Sequence, residues 1–330
     1  MFRSKVGVGL DIGTEKIKMV KVTRRGNNHE ILGYDSIFTP SGTVELGNIL
    51  EPEKLGIELA RLKEKMGIKK EKVIAAASGP QVYTRILSMP QMPREELKEA
   101  AIFQASTFLP ISIDEAVIDV FPLRDIEDET GKKTEIFFVA VRKNQIEKLD
   151  LACQIAGLNL AVIDIEPLAL QRVIAGEREN RAFLNIGASR AYFSVFNDGS
   201  LVMHRSLSFG CSAFAMSAGE ACSGYEFLES VDLRSGNYEY FINDMINELN
   251  RAVEYYKMQF KNTLNHIVLC GGGSRMPGID EILMEKTGIK FELAGISPNI
   301  LIPPDLEEKD KKELVYEFLI ALGLAVRGVV

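Results

Sequence analysis

The chain has 330 residues, of which 46% are apolar and 26% are charged, a composition typical of a folded globular protein with room for two domains. Its 46 acidic residues exceed its 39 basic residues, which argues against nucleic acid as a partner. The four cysteines form no C-x-x-C pair and the three histidines are far apart, so zinc, disulfide and Ser-His-Asp chemistry lack the residues they need.

The first predicted elements are the two strands of a β-hairpin. The first strand ends in Asp11-Ile12-Gly13-Thr14, and residues 17–22 form the second. Apolar residues at helical spacing then predict a helix over 52–66, followed by a buried strand over 73–77. This order indicates an α/β domain that begins with an antiparallel pair.

A segment with a different pattern of predicted elements follows, over residues 83–143. It predicts a helix over 94–108, an extended stretch over 116–123, a polar turn over 125–133 and a strand over 135–141. We interpret the segment as a small subdomain inserted into the first lobe.

The chain then returns to alternating helices and strands. A helix is predicted over 144–156, a strand over 161–165 and a helix from Pro167 to about Ala175. The next hairpin repeats the first at an offset of 174 residues, because residues 183–188 align with residues 9–14. The repeat predicts two related lobes.

The second lobe continues with a long amphipathic helix over 238–260 and an apolar strand over 267–270. The turn Gly271-Gly272-Gly273 comes next, before a helix that begins near Gly278. A strand, a glycine-rich turn and a helix in this order are typical of a phosphate or ribose site. A last helix is predicted over 312–327.

The first hairpin turn has the composition of a phosphate cradle. Gly9 and Gly13 allow the backbone to approach a ligand closely, and Thr14 adds a hydroxyl. Asp11 could hold Mg²⁺ directly or through water, and Lys18 could neutralise a terminal phosphate. Two such hairpins facing each other, with a third glycine turn, could enclose a nucleoside triphosphate.

These motifs resemble those of the actin-like ATPase superfamily. Residues 8–14 look like its first phosphate motif, residues 184–188 like its second and residues 267–274 like its adenosine motif. Within the superfamily, Arg85-Ile86-Leu87-Ser88-Met89-Pro90-Gln91-Met92-Pro93 and Ala140-Val141-Arg142-Lys143 are similar to the inserted subdomain of the PilM family of type IV pilus assembly. This resemblance covers nearly the whole chain.

The resemblance implies an actin-like, two-lobed α/β fold built from a duplicated mixed-sheet domain. It places the first lobe at 1–180 with the insert at 83–143, the second lobe at 181–311, and a C-terminal helix at 312–330 that returns to the first lobe. It also implies ATP and Mg²⁺ as cofactors, with the nucleotide site formed by Asp11, Gly13, Thr14, Lys18, Asn185, Gly187, Ala188, Gly271, Gly272, Gly273 and Arg275.

Two departures from the family pattern weaken hydrolysis more than binding. Asn185 stands where the family usually has an aspartate, and a neutral amide is a poorer metal partner. The family's Glu-x-x-Lys stretch should follow Gly210, yet no lysine occurs between Lys148 and Lys257. We therefore expect no catalytic residue here and a degenerate ATP site.

The resemblance implies an adaptor that grips the cytoplasmic N-terminal peptide of a PilN-like inner-membrane protein beside the insert. Pilus motor ATPases and a second copy of the chain are further expected partners. The apolar tail at 318–326 is too short to span a bilayer, so we expect a cytoplasmic protein held at the membrane by its partner. A small ATPase or kinase of the same fold and an FtsA-like cell-division filament protein remain alternatives.

Overall fold

A computed structural model of the protein describes residues 5–129, 131–176, 180–212 and 225–329. Within these ranges the strands are β1 (Val6–Ile12), β2 (Lys16–Arg25), β3 (Asn28–Phe38), β4 (Val44–Glu45), β5 (Asn48–Ile49), β6 (Lys72–Ala77), β7 (Val82–Pro90), β8 (Ala116–Asp128), β9 (Gly131–Arg142), β10 (Asn159–Ile165), β11 (Arg181–Ile186), β12 (Ala191–Asn197), β13 (Ser200–Leu207), β14 (His266–Cys270), β15 (Lys290–Leu293) and β16 (Ile300–Leu301). The helices are α1 (Pro52–Lys65), α2 (Arg94–Ala105), α3 (Lys143–Ile155), α4 (Glu166–Val173), α5 (Tyr225–Ser230), α6 (Glu239–Phe260), α7 (Ile279–Thr287), α8 (Glu308–Glu317) and α9 (Leu319–Arg327). Among the helices so described, none combines the length and apolar character needed to cross a bilayer.

The two mixed sheets share the order and direction of five strands. The first has the order β10-β6-β1-β2-β3-β16 and the second the order β13-β12-β11-β14-β15. In each sheet three antiparallel strands adjoin two parallel ones. Asp11 lies opposite Lys18 in the first sheet, and Asn185 lies opposite Tyr192 in the second. Both pairs are offset by 174 residues, which confirms the predicted duplication.

Strand alternation decides which residues of each sheet face the other lobe. In β1, Val8 and Leu10 pack outward into a core with α1 and α3. Because successive side chains of a strand point to opposite faces, the side chain of Asp11 points inward, toward the other lobe. In β11, Leu184 packs outward into a core with α6 and α7, whereas Phe183 packs inward. A third core, which includes α4 and α9, lies between the two sheets.

The C-terminal helices pack on the inner face of the first sheet. A Cβ on Gly9 would lie 1.8 Å from the Ala321 carbonyl oxygen, so α9 rests directly on β1. The single helix predicted over 312–327 is wrong, because α8 and α9 are separated at Phe318. Its ring is buried and contacts the ring of Tyr34 edge-on at 4.9 Å, and its backbone leaves helical geometry.

The insert is a three-stranded antiparallel sheet of order β7-β9-β8, covered on one face by α2. The polar turn predicted over 125–133 is wrong, since β8 continues to Asp128 and β9 begins at Gly131. The Arg124 guanidinium lies 3.0 Å from the Asp198 carboxylate, and this ion pair joins the insert to the second sheet.

The helix that begins at Glu166 ends two residues before the predicted position. Ile174 is extended and forms a bridge with Ile296, so the backbone leaves helical geometry there. The predicted lobe boundaries at 180/181 and 311/312 stay predictions. In the structure, β16, at 300–301, pairs with β3 of the first sheet.

Candidate functional site

The two hairpin turns meet across a cleft between the sheets. Gly13 donates its N–H to the Lys16 carbonyl at 3.0 Å, and Gly187 donates in the same way to Arg190 at 2.9 Å. The hydroxyls of Thr14 and Ser189 are 3.0 Å apart. The repeat therefore places two turns of the same geometry face to face.

Each turn presents unpaired backbone amides. In the described part of the chain, no hydrogen bond uses the N–H groups of Thr14, Glu15, Ala188 or Ser189. Such amides in a concave turn can accept an anion, and phosphate oxygens are the ligands that this arrangement suits. The turns thus have the donors needed for a polyphosphate.

Most residues of the predicted nucleotide site line this one cleft. They are Asp11, Gly13, Thr14, Lys18, Asn185, Gly187, Ala188, Gly271 and Gly272. Gly273 and Arg275 are placed differently. Gly273 is buried against Ile186, and the Arg275 guanidinium is held by the carboxylate of Glu317 at 2.6 Å. Nucleotide binding by these residues stays a prediction.

Gly9 does not belong to the phosphate cradle. It faces α9, where even a methyl group would collide with backbone. Its role is close helix packing, so the interpretation of Gly9 as a phosphate contact is wrong. Sequence alone could not separate the two roles, because both require the same small residue.

Asp11 and Lys18 form a buried ion pair in the first sheet. Their carboxylate oxygen and ammonium nitrogen are 3.0 Å apart, and both side chains are less than 15% exposed. Burial lowers the Lys18 pKa, but the negative charges of Asp11, Glu317 and Glu166 outweigh burial and leave this pKa raised. Lys18 therefore stays charged in the cleft, where it can face a phosphate.

The second sheet has no equivalent pair. The position opposite Asn185 is Tyr192, so an aspartate at 185 would have no lysine partner across the strands. Asn185 is buried, and a Cβ on Gly271 would lie 2.4 Å from its side-chain oxygen. A carboxylate buried without a cation destabilises the folded state. A neutral amide at position 185 avoids this cost.

Glu166 is a cleft residue that sequence reasoning missed as a site residue. It begins α4 and is buried beside Asp11. Burial, together with the charge of Asp11, raises its pKa to about 7, although Ser78 and Lys18 oppose this shift. Its local sequence signal is its position before Pro167 at the start of a predicted helix.

Glu317 is the second missed residue, and it links both halves of the cleft. Its carboxylate is 3.0 Å from the Lys16 ammonium, on β2, and 2.6 Å from the guanidinium of Arg275, after β14. The Glu317 side chain is 1% exposed. No local motif marks it, because α8 is brought to the cleft only by the chain's return to the first sheet.

The cleft has hydrogen-bond donors suited to a nucleotide, but its volume is smaller than that of a usual nucleotide site. The cavity volume is about 100 Å³, whereas small-molecule sites usually exceed about 300 Å³. For Mg²⁺, Asp11 is the fitting carboxylate with phosphate oxygens as co-ligands, since the described residues contain no cluster of three or more candidate metal ligands. The stretch expected to hold Glu-x-x-Lys, after Gly210, largely lies outside the described residues.

Comparisons with known proteins agree with this architecture. A family model described as type IV pilus assembly protein PilM matches residues 9–329. A solved structure titled PilM-PilN type IV pilus biogenesis complex is similar with a TM-score of 0.85 and 25% identity, covering 98% of each chain. The ethanolamine utilization protein EutJ from Carboxydothermus hydrogenoformans shares the fold, with a TM-score of 0.54 and 14% identity over 97% of this chain and 89% of that one. The chain belongs to the type IV pilus assembly protein PilM family.

Proposed function

We propose that this protein is a cytoplasmic adaptor of a type IV pilus machine. In this proposal it holds the cytoplasmic N-terminal peptide of a PilN-like inner-membrane protein, and through that peptide it stays at the membrane. Membership of the PilM family and the similarity to a PilM-PilN complex support it. The observation that carries it is an apolar groove beside the insert.

The groove follows from the pattern of the insert sheet. Alternate residues Ile136, Phe138 and Ala140 face α2, so their neighbours face the other way. On that second face, Val117 pairs with Val141 and Phe121 pairs with Phe137, and all four line the groove. Val117 and Phe121 are 45% and 60% exposed and adjoin Val141 and Phe137, so this face is a contiguous apolar patch.

The groove suits an extended peptide in volume and shape. Its volume is about 670 Å³, and its other walls come from β10, α4 and the β12–β13 turn. β8 is an edge strand, so a peptide could pair with its free backbone while apolar side chains enter the groove. At one end, the Arg172 and Arg327 guanidinium groups each lie 2.7 Å from the Asp164 carboxylate.

The test is binding of a fluorescent peptide from the cytoplasmic start of the neighbouring PilN-like protein, measured by anisotropy. Phe121→Glu places a charge in the groove and should weaken binding at least tenfold. Phe103→Glu is the control, because Phe103 is 82% exposed on α2, which covers the other face of the insert. Equal binding by both variants would refute the groove.

The second part of the proposal is ATP binding in the cleft, with Mg²⁺ held by Asp11 and the phosphates. Unpaired turn amides and the charged Lys18 support it. Ala188→Asp would place a carboxylate beside the phosphates and should weaken ATP-Mg²⁺ binding at least tenfold in calorimetry. Ala188→Ser keeps a small side chain and should bind as the wild type does. Binding to the motor ATPases and self-association stay predictions.

A further inference from the structure

Another crevice lies at the β7 edge of the insert, where β7 faces β13 of the second sheet. Its volume is about 440 Å³, within the usual range of small-molecule sites. The insert contributes Arg85 and Phe108, and the second lobe contributes Tyr192, His204, Arg205 and Tyr255. It is separate from both the interlobe cleft and the peptide groove, apart from Tyr192, which also lines the cleft.

The two arginines of this crevice are held in the same way from opposite walls. The Arg85 guanidinium carbon lies 4.5 Å from the ring centre of Phe108, and that of Arg205 lies 5.6 Å from the ring centre of Tyr255. A guanidinium stacked on a ring keeps its N–H edge available for a planar or tetrahedral anion. The stacking also limits side-chain freedom, which reduces the entropic cost of binding.

Neither guanidinium has a carboxylate partner among the described residues. In these ranges the side chains of Arg85 and Arg205 make no ion pair or hydrogen bond, and no aspartate or glutamate lines the crevice. This is notable in a chain of net charge −7. The crevice is therefore a local concentration of positive charge within an acidic protein.

Tyr192 and His204 form an uncharged part of the crevice lining. The rings of Tyr192 and His204 stack at 5.5 Å, and His204 Nδ1 lies 2.9 Å from the Ser194 hydroxyl. Burial lowers the pKa of His204 to about 4, so this imidazole adds no charge at neutral pH. The two arginines alone supply the positive charge of the lining.

We propose that this crevice binds a small phosphate-bearing ligand, with Arg85 and Arg205 each donating hydrogen bonds to phosphate oxygens. A ligand with two or more anionic oxygens on different sides can reach both guanidinium groups, and phosphate presents its oxygens in that way. Tyr255 is 51% exposed and so offers ring surface on which a base can stack, which makes a nucleoside phosphate the fitting class. Because Arg85 lies on the insert and Arg205 on the second sheet, the ligand bridges the two.

Calorimetric titration at low salt tests the site with three probes: pyrophosphate, AMP and citrate. We expect saturable binding of AMP by the wild type, and at least a tenfold loss in Arg85→Gln and in Arg205→Gln. Arg61→Gln is the control, because Arg61 is an exposed arginine on α1. Circular dichroism of each variant establishes that it is folded.

The probes separate the possible ligands. Binding of both AMP and pyrophosphate, weakened by the two crevice variants, supports a phosphate site that also accommodates a base. Binding of pyrophosphate alone supports the phosphate class and removes the nucleoside. Citrate binding as tight as that of AMP, AMP binding unchanged by both variants, or no saturable binding of any probe at millimolar concentration would overturn the proposal.

Discussion

Glu166 is a buried carboxyl whose titration should be visible in the stability of the whole protein. Its pKa rises from 4.5 to about 7, mainly because burial disfavours the charged form. At about 1.4 kcal/mol per pKa unit, this shift corresponds to a cost of about 3 kcal/mol when the carboxyl is ionised in the folded state. Replacing Glu166 with glutamine removes that charge and keeps a polar group near Ser78.

The direction in which the unfolding free energy changes with pH follows from the protons bound to Glu166 in the folded and unfolded states. Between pH 4.5 and 7 the folded state keeps the Glu166 proton while the unfolded state has lost it, so the contribution of Glu166 lowers the unfolding free energy as pH rises. Above pH 7 this contribution is constant. Glu166→Gln should therefore match the wild type near pH 4 and exceed its stability by about 3 kcal/mol at pH 8.

Urea denaturation followed by far-UV circular dichroism measures this difference across a pH series, since the chain has no tryptophan for fluorescence. Glu147→Gln, on the exposed surface of α3, is the matched control and should track the wild type. Parallel pH curves for Glu166→Gln and wild type, or a less stable variant at pH 8, would refute the reasoning.

Two further predictions concern charge and packing. Glu317→Gln removes the buried carboxylate that pairs with Arg275 and Lys16, while Arg275 keeps its ion pair with Glu229 at 3.0 Å, so the change should cost about 1–3 kcal/mol in urea denaturation, whereas Glu308→Gln on the surface should leave the stability nearly unchanged. Gly9→Ala forces α9 away from β1 and should cost at least about 3 kcal/mol, whereas a Cβ on Gly33 meets nothing within 4 Å, so Gly33→Ala should be nearly neutral. Equal losses within either pair would contradict the assigned role.

Much of the fold could be predicted because local pattern and global topology agree. Strand alternation and the 174-residue repeat identify both hairpins, and the register of Asp11 with Lys18 and of Asn185 with Tyr192 reproduces that offset. The prediction of a polar turn over 125–133 is wrong because charged residues on an exposed edge strand have the same composition as a loop.

Only those residues of the candidate site that belong to a sequence motif could be predicted. The hairpin turns, which the repeat indicates, and Gly271-Gly272, which follows a predicted strand, line the cleft. Glu166 and Glu317 were missed because their neighbours in space are far from them in the chain. Lys16 and Glu317 are 301 positions apart, and no periodicity spans that distance.

The amino-acid sequence by itself determined the duplication, the hairpin motifs, the insert and the resemblance to the PilM family, because each depends on spacing along the chain. Only the tertiary structure decided the electrostatics and the shape of the exposed surfaces. Burial raises the pKa of Glu166, the return of α8 brings Glu317 to Arg275, and the packing of α2 on one face of the insert leaves the other face open as the groove. These properties depend on which groups become buried next to one another, and the sequence pattern does not show that before the chain folds.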